Sequence, residues 1–259
     1  MNTQKEQPNY SILADIYDEV MHDVDYITWT DYIDEIIMEH HPRAQNLLEL
    51  ACGTGTMAIS MEEFGYNRIV ATDLAPKMIE RATQKGKEAG SKVEFKTRDF
   101  LDLNLDETFD VAYMVFDSLN YLHESADILK LHAEVKKILN PGGLFIYDFT
   151  TPRNSRKAIK YLNNDEATVD DRYHYFRSSS YDGQNQIHTN RFEIQPLSGN
   201  RNSEGETYIE EHQQRIYTYY EVKEIIDQTD FKILKAYDGF DLKPAHKKSL
   251  RITMVLYNE

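Results

Sequence analysis

Cysteine is nearly missing from this chain, with Cys52 alone among 259 residues. A single thiol gives no disulfide scaffold and suits a reducing compartment. In its loop Cys52 reads as a small packed residue rather than a nucleophile. Positive charge is also scarce: 29 Lys and Arg stand against 44 Asp and Glu, a formal charge of −15. Binding to a phosphate backbone depends on Lys and Arg, so no nucleic acid partner is expected. Long hydrophobic runs are absent. The opening Met1-Asn2-Thr3-Gln4-Lys5-Glu6-Gln7-Pro8 lacks a signal-peptide core, so the sequence predicts a cytoplasmic protein without a membrane partner. His40, His41 and the other histidines show no ligand spacing with Cys or carboxylates, and no catalytic metal is expected. No repeat or low-complexity segment stands out.

What is present is most informative at Leu47-Leu48-Glu49-Leu50-Ala51-Cys52-Gly53-Thr54-Gly55-Thr56. The apolar run reads as a strand buried on both faces of a parallel sheet. Gly53 and Gly55 allow a sharp turn and close backbone approach to a ligand, and Met57, Met61 and Phe64 continue at helical spacing. Two cofactor classes share that geometry. Gly53-Thr54-Gly55-Thr56-Met57-Ala58 fits the permissive dinucleotide pattern, which leaves a nicotinamide cofactor open. Glu49, just ahead of the loop, is a poor neighbour for a pyrophosphate and a tolerable one for the cationic S-adenosylmethionine. Arg68 to Asp73 reads as a second strand ending in an acid that can accept from both ribose hydroxyls. After a third strand, Asp99 can accept from an adenine amino group while Phe100 packs near the ring. Singly, the glycines also fit a plain turn, Asp73 a helix cap and Asp99 a solvated acid; their order and spacing carry the reading.

Strands are expected near 46–51, 68–72, 92–96, 109–115 and 143–149, with helical patterns between them such as Ile128, Leu131, Val135 and Ile138. Residues up to about Glu39 read as helices, with Trp29, Ile33, Ile36 and Ile37 at helical spacing. This α/β alternation predicts a parallel sheet with helices on both faces. The polar segment from Thr150 to Tyr217 breaks the rhythm with β-like stretches around 172–178, 186–195 and 208–217, and reads as an insertion or cap. Arg191 and Arg215 within it are candidates for an anionic substrate group. Thr218-Tyr219-Tyr220-Glu221 carries a capping box ahead of a helix, and strands follow near 231–238 and 250–257. The expected division is 1–149 as N-terminal helices and cofactor-binding core, 150–217 as β-rich cap and 218–259 as the closing part of the core.

The series Glu49/Gly53/Gly55, Asp73, Asp99-Phe100, Phe109 to Asp117 and Leu139-Asn140-Pro141-Gly142-Gly143 resembles class I S-adenosylmethionine-dependent methyltransferases over nearly the whole chain. The resemblance implies a Rossmann-like sheet of seven strands, the last antiparallel, with the insertion following the fifth. It implies S-adenosylmethionine as cofactor, S-adenosylhomocysteine as product, and a donor site of Tyr10, Tyr26, Glu49, Ala51, Gly53, Gly55, Asp73, Leu74, Met78, Asp99, Phe100 and Phe116. Tyr10-Ser11-Ile12-Leu13-Ala14-Asp15-Ile16-Tyr17-Asp18 is similar to the start of small-molecule types such as amino-sugar N-methyltransferases, in which Tyr121 stands where a histidine is placed. Asp117, Tyr121 and Tyr10 are the expected catalytic residues, with His123 a second candidate base. Asp117 also fits a helix N-cap bonded to the Asn120 backbone. Phe116 to His123 lack the Asn-Pro-Pro-Tyr type of signature of base-amine methylases, so a small-molecule acceptor, methylated on nitrogen or oxygen, is expected. The alternatives are an NAD-dependent enzyme and a catalytically silent cofactor-binding protein; the methyltransferase is expected to be a monomer or homodimer.

Overall fold

The computed structural model describes residues 3–197 and 206–259. The chain opens with β1 (Thr3–Glu6), α1 (Tyr17–Val20) and α2 (Tyr26–His40). It continues through β2 (Asn46–Leu50), α3 (Thr56–Met61), β3 (Arg68–Asp73), α4 (Pro76–Ala89), β4 (Glu94–Thr97), β5 (Phe109–Met114), α5 (Ser125–Ile138) and β6 (Leu139–Thr150). Then come α6 (Pro152–Leu162), β7 (Asp165–Val169), β8 (Tyr173–Asp182), β9 (Ile187–Pro196) and β10 (Glu206–Arg215). The chain finishes with α7 (Tyr219–Ile226), β11 (Phe231–Asp238), β12 (Asp241–Pro244) and β13 (Arg251–Asn258).

The main sheet runs in the order β12-β11-β13-β6-β5-β2-β3-β4. The five strands from β6 to β4 are parallel, and β13 enters antiparallel between β6 and β11. Leu47, Leu48 and Leu50 of β2 and Val111 to Met114 of β5 are fully buried, as continuous apolar runs must be when helices cover both faces. One face meets Leu131, Val135, Val222 and Ile226 of α5 and α7, the other Ile33, Ile36, Met57 and Met61 of α2 and α3. Asp25 caps α2 by accepting from the Thr28 N–H at 3.0 Å, and the capping box of α7 is formed by Thr218 and Glu221. Among the described residues no helix is long and apolar enough to cross a membrane.

Eight strands rather than seven make this sheet. The extra one is β12, whose Asp-Leu-Lys-Pro sequence gives no apolar alternation to detect. The polar segment after β6 starts with a helix, α6, that sequence reading misses because only Ser155 of it is buried. Strands β7 to β10 then form a second sheet in the order β1-β10-β9-β8-β7. Its outer member β1 comes from the N-terminus, expected to be helical, and pairs parallel with β10. Residues 198–205 of the 150–217 insertion lie outside the described residues.

Candidate functional site

At the carboxyl ends of β2, β3 and β5 lies a cavity of about 400 Å³. The turn after β2 holds Ala51 at φ +53° and Gly53 at φ +55°, and both line the cavity. Asp73, at the end of β3, is fixed there: one carboxylate oxygen accepts from the Gly53 N–H at 2.9 Å and the other from the Ala75 N–H at 2.8 Å. Each oxygen keeps a lone pair for a further donor. Burial raises the Asp73 carboxyl above its ordinary range, against the pull of those backbone donors. Glu49 accepts from the Tyr113 hydroxyl at 3.1 Å and forms no ion pair among the described residues. Burial pushes it up to about 8. Leu74, Met78 and Phe100 supply apolar lining, and Tyr26 and Phe116 also line the cavity with their rings 5.4 Å apart.

Two expected donor-site residues are not there. Gly55 does not line the cavity. It sits at φ +78°, and a Cβ would fall 2.6 Å from the Phe95 ring, so its glycine serves the turn and the packing of α3. Asp99 is also absent from the lining, because its own turn uses its carboxylate, one oxygen accepting from the Leu101 N–H at 2.8 Å. The remaining set suits a sulfonium nucleoside: an acceptor pair for a ribose diol, apolar walls for a base, and a buried acid without a counter-charge for a cationic end. No Lys or Arg lines the cavity among the described residues, whereas a pyrophosphate would call for cationic or exposed N–H partners.

A second cavity of about 480 Å³ opens between the main sheet and the inner face of the second sheet. Arg177, His188, Asn190, Phe192, His212 and Gln214 alternate along β8, β9 and β10 to form its roof, and Ser155 of α6, Trp29 and Arg251 line the rest. Tyr10, Tyr17, Phe116 and Tyr121 line both cavities and therefore form the wall between them. Tyr10 and Tyr121 join their hydroxyls across it at 2.5 Å. Burial raises both phenols above their ordinary range. Two residues of this wall, Tyr10 and Phe116, have positive φ, as does the adjoining Asp117.

Asp117 faces the second cavity, but its carboxylate is engaged on both sides. One oxygen pairs with Arg251 at 2.5 Å and the other accepts from the Gln214 amide at 2.6 Å. The Asn120 N–H does return to Asp117 at 2.9 Å, to the backbone carbonyl rather than the side chain, so the carboxylate is not a helix cap. His123 is exposed, bonds the Gln213 carbonyl at 3.0 Å and lines neither cavity. Arg191 and Arg215 point elsewhere, toward Glu193 and Glu221. The arginines at the cavity are Arg177 and Arg251. Sequence reading misses these, along with His212 and Gln214; the one available signal is the period of two along β8 to β10, which here selects a polar inner face.

The family model for a methyltransferase domain matches residues 47–143. YqeM of Bacillus subtilis, named a methyltransferase, is 26% identical over 241 residues, covering 91% of this chain and 92% of its own. Among solved structures, an S-adenosylmethionine-dependent methyltransferase from Clostridium acetobutylicum superposes with a TM-score of 0.76 at 27% identity, over 96% of this chain and 98% of that one. CalS10, an amino pentose methyltransferase of Micromonospora echinaspora solved with S-adenosylmethionine bound, shares the fold with a TM-score of 0.67 at 17% identity, over 94% and 97% of the two chains. Strand order, the acid-and-glycine turn and these likenesses converge: the chain is a class I S-adenosylmethionine-dependent methyltransferase.

Proposed function

We propose that this methyltransferase modifies a nitrogen or oxygen atom of a small acceptor held in the cavity beneath the second sheet. The observation that carries this reading is the shared wall of Tyr10, Tyr17, Phe116 and Tyr121, which brings a donor cavity and an acceptor cavity to one junction. When bound, S-adenosylmethionine supplies an already activated methyl carbon, so the protein has to orient the acceptor and exclude water. In this reading Asp73 holds the ribose, Glu49 faces the cationic end, and Leu74, Met78 and Phe100 clasp the base. Ala51 and Gly53 let the backbone approach, with Tyr26 and Phe116 closing the methionine end. Tyr10 and Tyr121 touch the reacting atoms, and Asp117 orients the acceptor with Arg251 and Gln214 rather than removing its proton. Residues 150–217 act as a substrate cap on a core built from 1–149 and 218–259.

The test begins with calorimetric titration of S-adenosylhomocysteine, with NAD as control. Saturable 1:1 binding of the former alone is expected. A labelled-methyl donor is then offered with amines, including amino sugars in view of the likeness to CalS10, and with hydroxy and carboxylic compounds. Binding of NAD alone would reverse the assignment, and donor binding without turnover on any pool would favour a silent interaction protein.

A further inference from the structure

We propose that Glu210 and His212, both on cap strand β10, form the proton-receiving end of a relay that starts at Tyr10 and runs through Tyr121. The inference rests on the methyl-transfer reading above and adds to it the group that takes the acceptor's proton. Tyr10 and Tyr121 share a hydroxyl contact of 2.5 Å, Tyr121 Oη lies 3.1 Å from His212 Nδ1, and His212 Nε2 lies 3.5 Å from Glu210 Oε2. The receiving end is withdrawn from solvent, with His212 at 2% and Glu210 at 0% exposure, while Tyr10 and Tyr121 are half-buried at the cavity wall. Its direction follows from the partners. His212 Nε2 has no hydrogen-bond partner among the described residues and faces only the Glu210 carboxylate, so it carries the ring proton and Nδ1 is left to accept from Tyr121. Tyr121 in turn accepts from Tyr10.

Glu210 is equipped to stay ionised in that buried place. It accepts from the Tyr10, Ile12 and Leu13 N–H groups at 2.6, 2.6 and 2.8 Å and from the Ser11 hydroxyl at 3.2 Å. Burial alone would raise its carboxyl, but His212 and the Leu13 and Ile12 N–H groups bring it below the ordinary range. The same bonds fix the segment that carries Tyr10, so Glu210 is a positioning residue as well as a counter-charge. During transfer the new bond from acceptor to methyl carbon forms as the S–CH₃ bond breaks, its electron pair going to sulfur. The acceptor's proton passes to Tyr10 Oη, the Tyr10 proton to Tyr121 and the Tyr121 proton to His212 Nδ1. The positive charge that enters on the sulfonium thus ends as an imidazolium held against Glu210. A histidine supplied by the cap accounts for Tyr121 standing where a histidine is expected: the imidazole lies one hydrogen bond further out.

The test is read first from nitrogen resonances. Two-bond ¹H–¹⁵N spectra of the histidine rings are recorded at pH 8 on the labelled full chain saturated with S-adenosylhomocysteine, using His212→Gln for assignment. A neutral His212 with its proton on Nε2 is expected, and Tyr121→Phe should move the Nδ1 signal toward that of a free acceptor. Glu210→Gln should move Nε2; if that variant does not fold, Tyr121→Phe keeps the test intact. The opposite tautomer in the wild type, or an Nδ1 signal indifferent to Tyr121→Phe, overturns the relay. On the amine or hydroxy compound that turns over in the screen, His212→Gln should lower kcat by about 10²–10³-fold and leave the donor KM within about threefold. An unchanged kcat overturns the relay too. The S-adenosylhomocysteine titration separates the two readings: His212 does not line the donor cavity, so retained affinity with a failed relay removes only this inference. No affinity in the wild type removes the methyl-transfer reading beneath it.

Discussion

A carboxylate anchored by two backbone donors before any ligand arrives gives up no further freedom on binding, which makes Asp73 the residue on which donor affinity should depend most. Asp73→Ala removes charge-assisted bonds worth about 1.5–3 kcal/mol, so S-adenosylhomocysteine should bind about 10- to 100-fold more weakly by calorimetry. Unchanged affinity in a folded variant would refute the role. Glu49 poses a stability question of its own. Its folded-state value, raised to about 8, exceeds that of the unfolded chain, so between the two the native state holds more protons. Stability from this group is therefore present at low pH and lost as pH rises toward 8. Glu49→Gln should make the ligand-free protein more stable at pH 8 than the wild type, by on the order of 3 kcal/mol, with little gain at pH 4. Urea melts at the two pH values measure it, and an equal gain at both would remove the argument. Acids at strand ends, such as Glu49 and Asp73, were legible because an apolar run followed by an acid is a local pattern. Gly55 and Asp99 lie outside the cavity lining, because a residue's direction, toward a cavity or into its own turn, is decided by packing.

At the scale of elements, the N-terminal segment closes the donor cavity, with Pro8, Asn9, Tyr10 and Tyr17 in its wall. Three acids secure it. Asp15 pairs with Arg81 at 2.6 Å, Asp18 takes Lys85 at 2.6 Å and the Thr54 hydroxyl at 2.5 Å, and Glu210 holds residues 10–13 from the cap. A donor held in this cavity is expected to be released as this segment lifts. The Asp18 contacts are partly exposed and screened, so Asp18→Ala should speed S-adenosylhomocysteine release by only about three- to tenfold in stopped flow, with the association rate less affected. A release rate equal to wild type would mean that the segment is not the gate. The strand-and-helix alternation of the core was legible because each buried parallel strand is a continuous apolar run. The segment's strand β1 was not, since Thr-Gln-Lys-Glu is polar on both faces and becomes a strand only by pairing with β10. Strands β8 to β10 were legible as strands and β7 was not; the inner face of β8 to β10 was also hidden, because Arg177, His188, Asn190, His212 and Gln214 face the cavity beside Phe192, so the usual rule of apolar inside does not hold along that stretch.

For the whole molecule, the two sheets are tied by one charged knot, with Arg251 of β13 at its centre. Arg251 pairs with Asp117 and with the fully buried Asp148, and Asp117 reaches across to Gln214 of the cap. Burial works against the guanidinium, yet the two carboxylates keep it firmly protonated. Burial and the nearby Asp117 raise the Asp148 carboxyl above its ordinary range even so. Replacing Arg251 with Met removes the guanidinium that lies over Trp29, 5.3 Å from the ring centroid, and leaves two acids without a counter-charge. The expected loss is about 3–5 kcal/mol near pH 8. It should shrink toward pH 5, because Asp148 can then take a proton and relieve the unpaired charge. Trp29 is the single tryptophan and sits at the knot, so its fluorescence reports this region while far-ultraviolet dichroism reports both sheets. The cap sheet draws β1 from before the core and β7 to β10 from within it, so the two signals should still fall together in urea as one transition. A fluorescence midpoint well below the dichroism midpoint would show instead that the cap opens alone, and that the knot rather than the interleaved chain makes the molecule cooperative.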